Sequence, residues 1–264
     1  MSPDVPPRYN VLGIGVSALT LSLATQLILS VRRQPRTGYI CLATAHGIIA
    51  SQRDPALRAV YNASWLTTPD GMPLVWLGPP GVDRVYGPDL MLAVCDAGRA
   101  VGLRHYFLGG KPGVATELTE RLVGRFPGLV VAGTYTPPFT DLTPSDVEKV
   151  RKSIAATLPD VVWVGISAPK QERFMAQYHA QFEAPLLIGV GAAFDFHAGR
   201  VRQAPRWIQR SGFEWLFRLA TEPRRLGPRY LTTIPRFIAH VFLQRSGLRK
   251  YPLPDGPAPG GGNR

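Results

Sequence analysis

The sequence predicts an α/β protein, a Rossmann-like, mostly parallel sheet flanked by helices, with a basic helical appendage at its C-terminal end. Three observations carry that reading. Short apolar runs alternate with helix-length amphipathic segments through residue 199, the pattern of parallel strands covered by helices. The turns that hold unusual residues follow the apolar runs, and in such sheets ligands bind outside the carboxyl ends of the strands. The charge is uneven: of a net +12 over 264 residues, segment 200–250 contributes eleven Arg and one Lys against only Glu214 and Glu222.

The elements follow in order. Residues 11–14 read as a strand, then a glycine turn and an amphipathic helix with Leu19, Leu23, Leu27 and Val31 recurring every four residues. This stretch, 11–31, is uncharged and just long enough to cross a bilayer, but Ser17, Thr20, Ser22, Thr25, Gln26 and Ser30 argue against a span. Residues 39–43 form a buried strand ending at Thr44-Ala45-His46-Gly47, and 90–101 a helix. Strand 106–108 runs into Gly109-Gly110-Lys111-Pro112-Gly113, followed by helix 115–126 and strand 129–132. Helix 145–158 carries Asp146 and Glu148 in its first turn, where the helix dipole favours acids. Strand 161–164, helix 170–182 and strand 186–190 complete the alternation, and from Arg206 onward the pattern is helical. The expected organisation is a Rossmann-like domain over 1–205, a basic helical appendage over 206–250 and a disordered Pro/Gly tail over 251–264.

Composition narrows the function classes. A chain that is 45% hydrophobic is not mainly disordered. Cys41 and Cys95 cannot build a disulfide framework or a four-Cys zinc site, which fits a reducing, cytosolic compartment. The excess of Arg calls for an anionic partner. Trp207, Phe213, Trp215, Phe217, Tyr230, Phe237 and Phe242 interleave with those arginines, a combination that suits an anionic membrane surface or a phosphate-bearing ligand.

Several turns carry candidate chemistry. Gly13-Ile14-Gly15-Val16-Ser17-Ala18 fits a dinucleotide-binding pattern loosely, with Arg32 and Arg33 available for a 2′-phosphate but no acid between Asp4 and Asp54 for a ribose. In Thr67-Thr68-Pro69-Asp70-Gly71, Asp70 is either a turn-former or a rigidly held general base, with Trp65, Leu66, Met72, Leu74, Val75 and Trp76 able to desolvate it. Arg84 pairs with Asp89 or meets a ligand, and Asp89 is placed to cap the helix that follows. Gly109 and Gly110 open a turn whose N–H groups can bind phosphate oxygens, without the Gly-Lys-Ser/Thr ending of a Walker A loop. Lys170, Gln171 and Glu172 put a cation, an amide and a carboxylate at one helix entrance. Asp195 and His197, two residues apart, are a poor metal signal, and no other spacing supports a metal or a hydrolase triad.

Taken in order, TTPDGMPLVW, RVYGPDLM, YFLGGKPGVA, PDVVWVGISAPKQERFM, LLIGVGAAFDFHAGRVRQAPRW and FEWLFRLATEPRRLGPRYL resemble the WecG/TagA/CpsF glycosyltransferase family over roughly 65–240. The resemblance implies an inverting, metal- and cofactor-independent transfer of a sugar, typically N-acetylmannosamine, from a UDP-sugar to a polyprenyl-diphosphate-linked saccharide. That acceptor lies at the inner face of the bacterial membrane, so the enzyme would be cytoplasmic and peripherally bound there. The family's base falls on Asp70 and its sugar-side Thr on Thr44. His46 stands where the family usually has Asn, a departure that bears on the donor sugar. Arg84 and Gln171 match donor-contacting positions, beside the substrate-binding candidates Gly109, Gly110, Lys170, Glu172 and Asp195. Arg218, Arg224, Arg225 and Arg229 match or neighbour arginines thought to bind the acceptor diphosphate. The other readings are an NADP-dependent oxidoreductase using Gly13 and Gly15 and, last, a nucleic-acid binder, for which no motif is present; self-association stays open.

Overall fold

In the computed structural model, residues 5–137, 143–182 and 186–254 are described. The chain forms two compact units. The first comprises Leu21–Cys41 and Tyr86–Arg202, and the second Val5–Thr20, Leu42–Val85 and the chain from Gln203 onward.

The first unit holds α1 (Leu21–Ser30), most of β3 (Gly38–Ala43), α5 (Gly87–Gly98), β5 (Arg104–Gly109), α6 (Val114–Arg125), β6 (Val130–Tyr135), α7 (Pro144–Thr157), β7 (Val161–Gly165), α8 (Lys170–Tyr178), β8 (Leu186–Gly189) and α9 (Ala193–His197). β3–β8, β8–β7, β7–β5 and β5–β6 all pair in parallel. With β4 (Leu66–Pro69) at the edge next to β3, the sheet has six strands in the order β4-β3-β8-β7-β5-β6. Ile40, Phe107, Trp163 and Ile188, each 0% exposed, form the centre of its core. Covered on both faces, these strands read as unbroken apolar runs. Asp89, expected to cap α5, lies inside its first turn instead: Tyr86 is the N-cap, and Pro88 supplies the early helical proline.

One polar pair sits in that core. Trp163 Nε1 donates to His105 Nδ1 at 3.1 Å, which fixes the proton of the neutral ring on Nε2. Burial lowers the His105 pKa to about 4. The folded state therefore binds fewer protons than the unfolded chain below the unfolded value of about 6.5. Stability is complete above that value and falls as the pH drops toward 4, by about 2 kcal/mol at pH 5 from this group. Urea unfolding at pH 7.5 and 5.0 checks this, and His105→Gln is expected to remove that share of the slope.

The second unit begins with a hairpin. β1 (Arg8–Val11) pairs antiparallel with β2 (Ile14–Ser17), and Val11 faces Ile14 across a two-residue turn. Leu12 and Gly13 both have positive φ, 53° and 83°, as a type I′ turn requires. This corrects the expected strand, glycine turn and helix. Gly15 lies within β2, α1 begins six residues later at Leu21, and the strand-to-helix context of a dinucleotide site is missing. Helices α2 (Ala45–Ser51) and α3 (Pro55–Ala63) follow, capped by Thr44 and Asp54. Asn62 of α3 brackets the hairpin, donating to Gly13 O and accepting from Gly15 N, both at 2.9 Å.

After β4 comes α4 (Met72–Leu77), and later α10 (Arg206–Ser211), α11 (Glu214–Thr221) and α12 (Pro223–Arg245). Helix α12 packs along α2, with Thr233 and Phe237 of α12 only 5% and 7% exposed. Phe237 therefore does not belong to the exposed aromatic surface expected of this segment. Trp207, Phe213 and Phe242 do, at 72%, 58% and 65% exposed. Gln244 near the end of α12 accepts from Leu12 N, and Asn10 donates to Tyr251 O. Tyr251, where the disordered tail was expected to begin, is buried against these partners, because its ring and carbonyl both find contacts in the unit. Residues 255–264 of that tail lie outside the described residues. Among the described residues, no helix is long and apolar enough to cross a membrane.

Candidate active site

In the second unit, β3 and β4 end side by side. The Asp70 N–H donates to Ala43 O at 3.0 Å, one residue before Thr44. Pro69 fixes the backbone ahead of Asp70, and α4 starts just after Gly71. Asp70 is half-buried. Of the apolar residues expected to surround it, Trp65, Leu66 and Leu74 are buried, whereas Trp76 is 59% exposed and so desolvates little.

Arg84 fixes this turn to the C-terminal helices. Its Nε donates to Asp70 O at 2.5 Å, one terminal nitrogen to Gln209 O at 3.1 Å and the other to Glu214 Oε2 at 2.6 Å. Both ends of the Arg84–Glu214 pair are largely buried, with side chains 14% and 12% exposed. One guanidinium thus joins the Asp70 turn, the end of α10 and the start of α11. A planar fork with several donors makes that geometry, and Lys could not.

Thr44 Oγ1 accepts from Gly47 N at 3.2 Å as the cap of α2, which leaves its O–H to donate elsewhere. His46 lies in the first turn of α2, with Nδ1 3.3 Å from the Thr233 hydroxyl on α12. Burial, then the Arg229 charge, lowers its pKa to about 4. At neutral pH, His46 is an uncharged imidazole that offers hydrogen bonds without charge. Arg218 and Arg229 are half-buried, Arg224 is exposed, and the Arg225 side chain falls outside the described residues.

Sequence reasoning missed Glu214, Gln209 and Thr233. Their partners are more than a hundred residues away, and no local spacing signals such pairs. It also gave no role to Thr68, whose hydroxyl is fully buried on β4 with no hydrogen-bond partner among the described residues. Neighbouring Thr67 is satisfied, donating to Tyr61 O at 2.8 Å. An orphaned buried hydroxyl costs about 1–3 kcal/mol. Thr68→Val, which keeps the shape, is expected to raise stability by about 1 kcal/mol in urea unfolding; no gain would mean that the hydroxyl has a partner.

In the first unit, the carboxyl ends of β5, β7 and β8 close on glycines. The Gly110 N–H donates to Gly165 O at 3.0 Å. A Cβ on Gly109 would stand 2.6 Å from the Gly165 backbone, and one on Gly165 2.6 Å from the Phe194 ring. Only glycine allows these strand ends to approach so closely. Gln171 is 4% exposed and braces the next turn: its Oε1 accepts from Gly191 N at 3.0 Å, and its Nε2 donates to Glu172 Oε1 at 3.1 Å. Glu172 is fully buried, whereas Lys170 is exposed at the start of α8. Asp195 lies in the first turn of α9 and its charge acts on Arg200, which pairs with Glu117. His197 is within hydrogen-bond reach of Pro88 O, at 2.9 Å. Among the described residues, no three His, Cys, Asp or Glu side chains cluster as metal ligands would.

Comparison with known proteins gives this geometry its context. Residues 9–251 match the family described as Glycosyl transferase WecG/TagA/CpsF. The chain is 30% identical over 213 residues to an N-acetylglucosaminyldiphosphoundecaprenol N-acetyl-beta-D-mannosaminyltransferase of Bacillus spizizenii, covering 79% of this chain and 80% of the relative. An enzyme of the same description from Bacillus subtilis is 27% identical over 201 residues, covering 74% of this chain and 76% of the relative. The matched residues 9–251 take in the hairpin, the Asp70 turn, the glycine-closed strand ends and the arginine-bearing helices alike, and the chain belongs to the WecG/TagA/CpsF family of glycosyltransferases.

Proposed function

We propose that this glycosyltransferase moves N-acetylmannosamine or a related hexose from a UDP-sugar to a saccharide carried on polyprenyl diphosphate, in the assembly of a bacterial surface polymer. The printed description of the two Bacillus enzymes supports the sugar and the acceptor. The observation that carries the chemistry is the placement of Asp70: a half-buried carboxylate on a turn held by backbone bonds to Ala43 and Arg84.

Asp70 takes the proton of the acceptor hydroxyl as that oxygen attacks the anomeric carbon, while the bond from that carbon to UDP breaks and its electron pair leaves with the diphosphate. A single base and a single displacement invert the anomeric centre. Thr44 and neutral His46 offer hydrogen bonds to sugar hydroxyls, and Arg84 acts by holding the Asp70 turn. In the first unit, Gly109 and Gly110 leave room for a phosphate to approach the backbone closely, the Gly110 N–H itself being taken by Gly165 O, with Lys170, Gln171, Glu172 and Asp195 around the neighbouring turns. Arg218, Arg224, Arg225 and Arg229 supply cations for the acceptor diphosphate, since charge developing on a leaving or bound diphosphate is stabilised by preorganised donors. The exposed Trp207, Phe213 and Phe242 of the same C-terminal segment suit contact with an anionic membrane surface.

The test is a thermal-shift screen of the full chain against UDP, UDP-N-acetylmannosamine, UDP-N-acetylglucosamine and NADPH, with and without EDTA. The expected result is stabilisation by UDP and its sugars, unchanged by EDTA, and none by NADPH. Stabilisation by NADPH alone would overturn the proposal.

A further inference from the structure

A second cationic feature lies further along the seam between α2 and α12. A cavity of about 320 Å³ is lined by Ile49, Gln52, Arg53, Arg236, His240 and Arg249. None of these six is an acid. Asp54, next to Arg53 in the chain, caps α3, where it accepts from Leu57 N at 3.0 Å. The cavity has a built wall. Arg249 lies over the Tyr251 ring at 5.2 Å, and the Tyr251 hydroxyl is 2.7 Å from His240 Nδ1. One buried tyrosine therefore sets both the guanidinium and the imidazole. Gln52 is held in turn by its bond to Leu12 O at 2.8 Å. After burial, the charges of Arg249, Arg236 and Arg53 each push His240 toward its neutral form, and all three line the cavity together with it.

Three like charges around one cavity repel, and an anion between them turns that repulsion into attraction. Guanidinium forks from several directions offer more donors than a carboxylate has lone pairs, whereas a tetrahedral phosphate presents oxygens on every side. We propose that Arg53, Arg236, Arg249 and His240 bind a phosphate or diphosphate group, carried by a free phosphate compound or by an anionic lipid headgroup. The site needs neither Asp70 nor a nucleotide-sugar, so it stands or falls apart from the transfer reaction.

The test compares the full chain with Arg53→Gln/Arg236→Gln/Arg249→Gln and with each single variant, after circular dichroism confirms that each is folded. Inorganic pyrophosphate is titrated calorimetrically at fixed ionic strength. In parallel, flotation is measured with phosphatidylcholine vesicles with and without phosphatidic acid. The expected result is that the triple variant loses a binding event the wild type shows, with each single variant weakening it about tenfold. Loss of pyrophosphate binding identifies a free phosphate compound, and loss of only the phosphatidic-acid-dependent flotation identifies a headgroup. Equal behaviour of wild type and folded variants toward both probes overturns the site. The exposed single variant Arg53→Gln keeps the comparison decisive should the triple variant unfold.

Discussion

Asp70→Asn is expected to lower kcat for sugar transfer by about 10²–10⁴-fold while leaving the affinity for UDP within about twofold. The side chains are nearly isosteric, and the two contacts that hold the turn, Asp70 N–H to Ala43 O and Arg84 Nε to Asp70 O, are made by the backbone. The substitution thus leaves both of these contacts in place while it removes the proposed proton acceptor. A loss in kcat with unchanged donor affinity is the signature of a group that acts in the transition state. Steady-state kinetics with saturating donor, together with UDP binding by calorimetry, reads both quantities. Wild-type turnover in Asp70→Asn would remove the base from the mechanism.

Arg84→Ala is expected to destabilise the protein by about 3 kcal/mol or more. Removing one partner of a buried pair leaves the other charge unneutralised, at a cost of about 3–5 kcal/mol. The remaining partner here is Glu214, whose side chain is 12% exposed, and the contacts to Asp70 O and Gln209 O go as well. Glu214→Gln removes the charge that Arg84 pairs with, so Arg84→Ala/Glu214→Gln should be distinctly more stable than the sum of the two single losses predicts. Urea unfolding of the four proteins measures the coupling. Additive losses would mean that the pair carries no interaction. Arg84→Lys is expected to recover the charge but not the bonds to Asp70 and Gln209, and to leave turnover low.

The parallel sheet was legible because its inner strands are covered on both faces. Runs such as Val161-Val162-Trp163-Val164 need no alternation to be recognised, and the glycines that close them mark their ends. The hairpin was misread because Val11-Leu12-Gly13-Ile14-Gly15-Val16 is apolar throughout and imitates a strand entering a glycine turn. The turn itself rests on Leu12 adopting φ 53°, which no sequence rule anticipates for leucine. The helices α2 and α3 had visible caps in Thr44 and Asp54 and a proline at the first position of α3, but they lay between motifs that drew a chemical reading. At the candidate site, the Pro-Asp-Gly turn was legible as local geometry. What fixes it was not, since Arg84 meets Glu214 across 130 residues and His46 meets Thr233 across 187. Those pairings exist only once the C-terminal helices have packed.

The most direct measurement is the anomeric configuration of the product. Full-length protein is incubated with UDP-N-acetylmannosamine and a short-chain polyprenyl-diphosphate N-acetylglucosamine, and the new linkage is assigned by NMR. A lone carboxylate drawing the proton from the incoming hydroxyl gives a linkage opposite in configuration to the donor's. A product that keeps the donor configuration, or no transfer from any UDP-sugar to any lipid-linked saccharide, would contradict it.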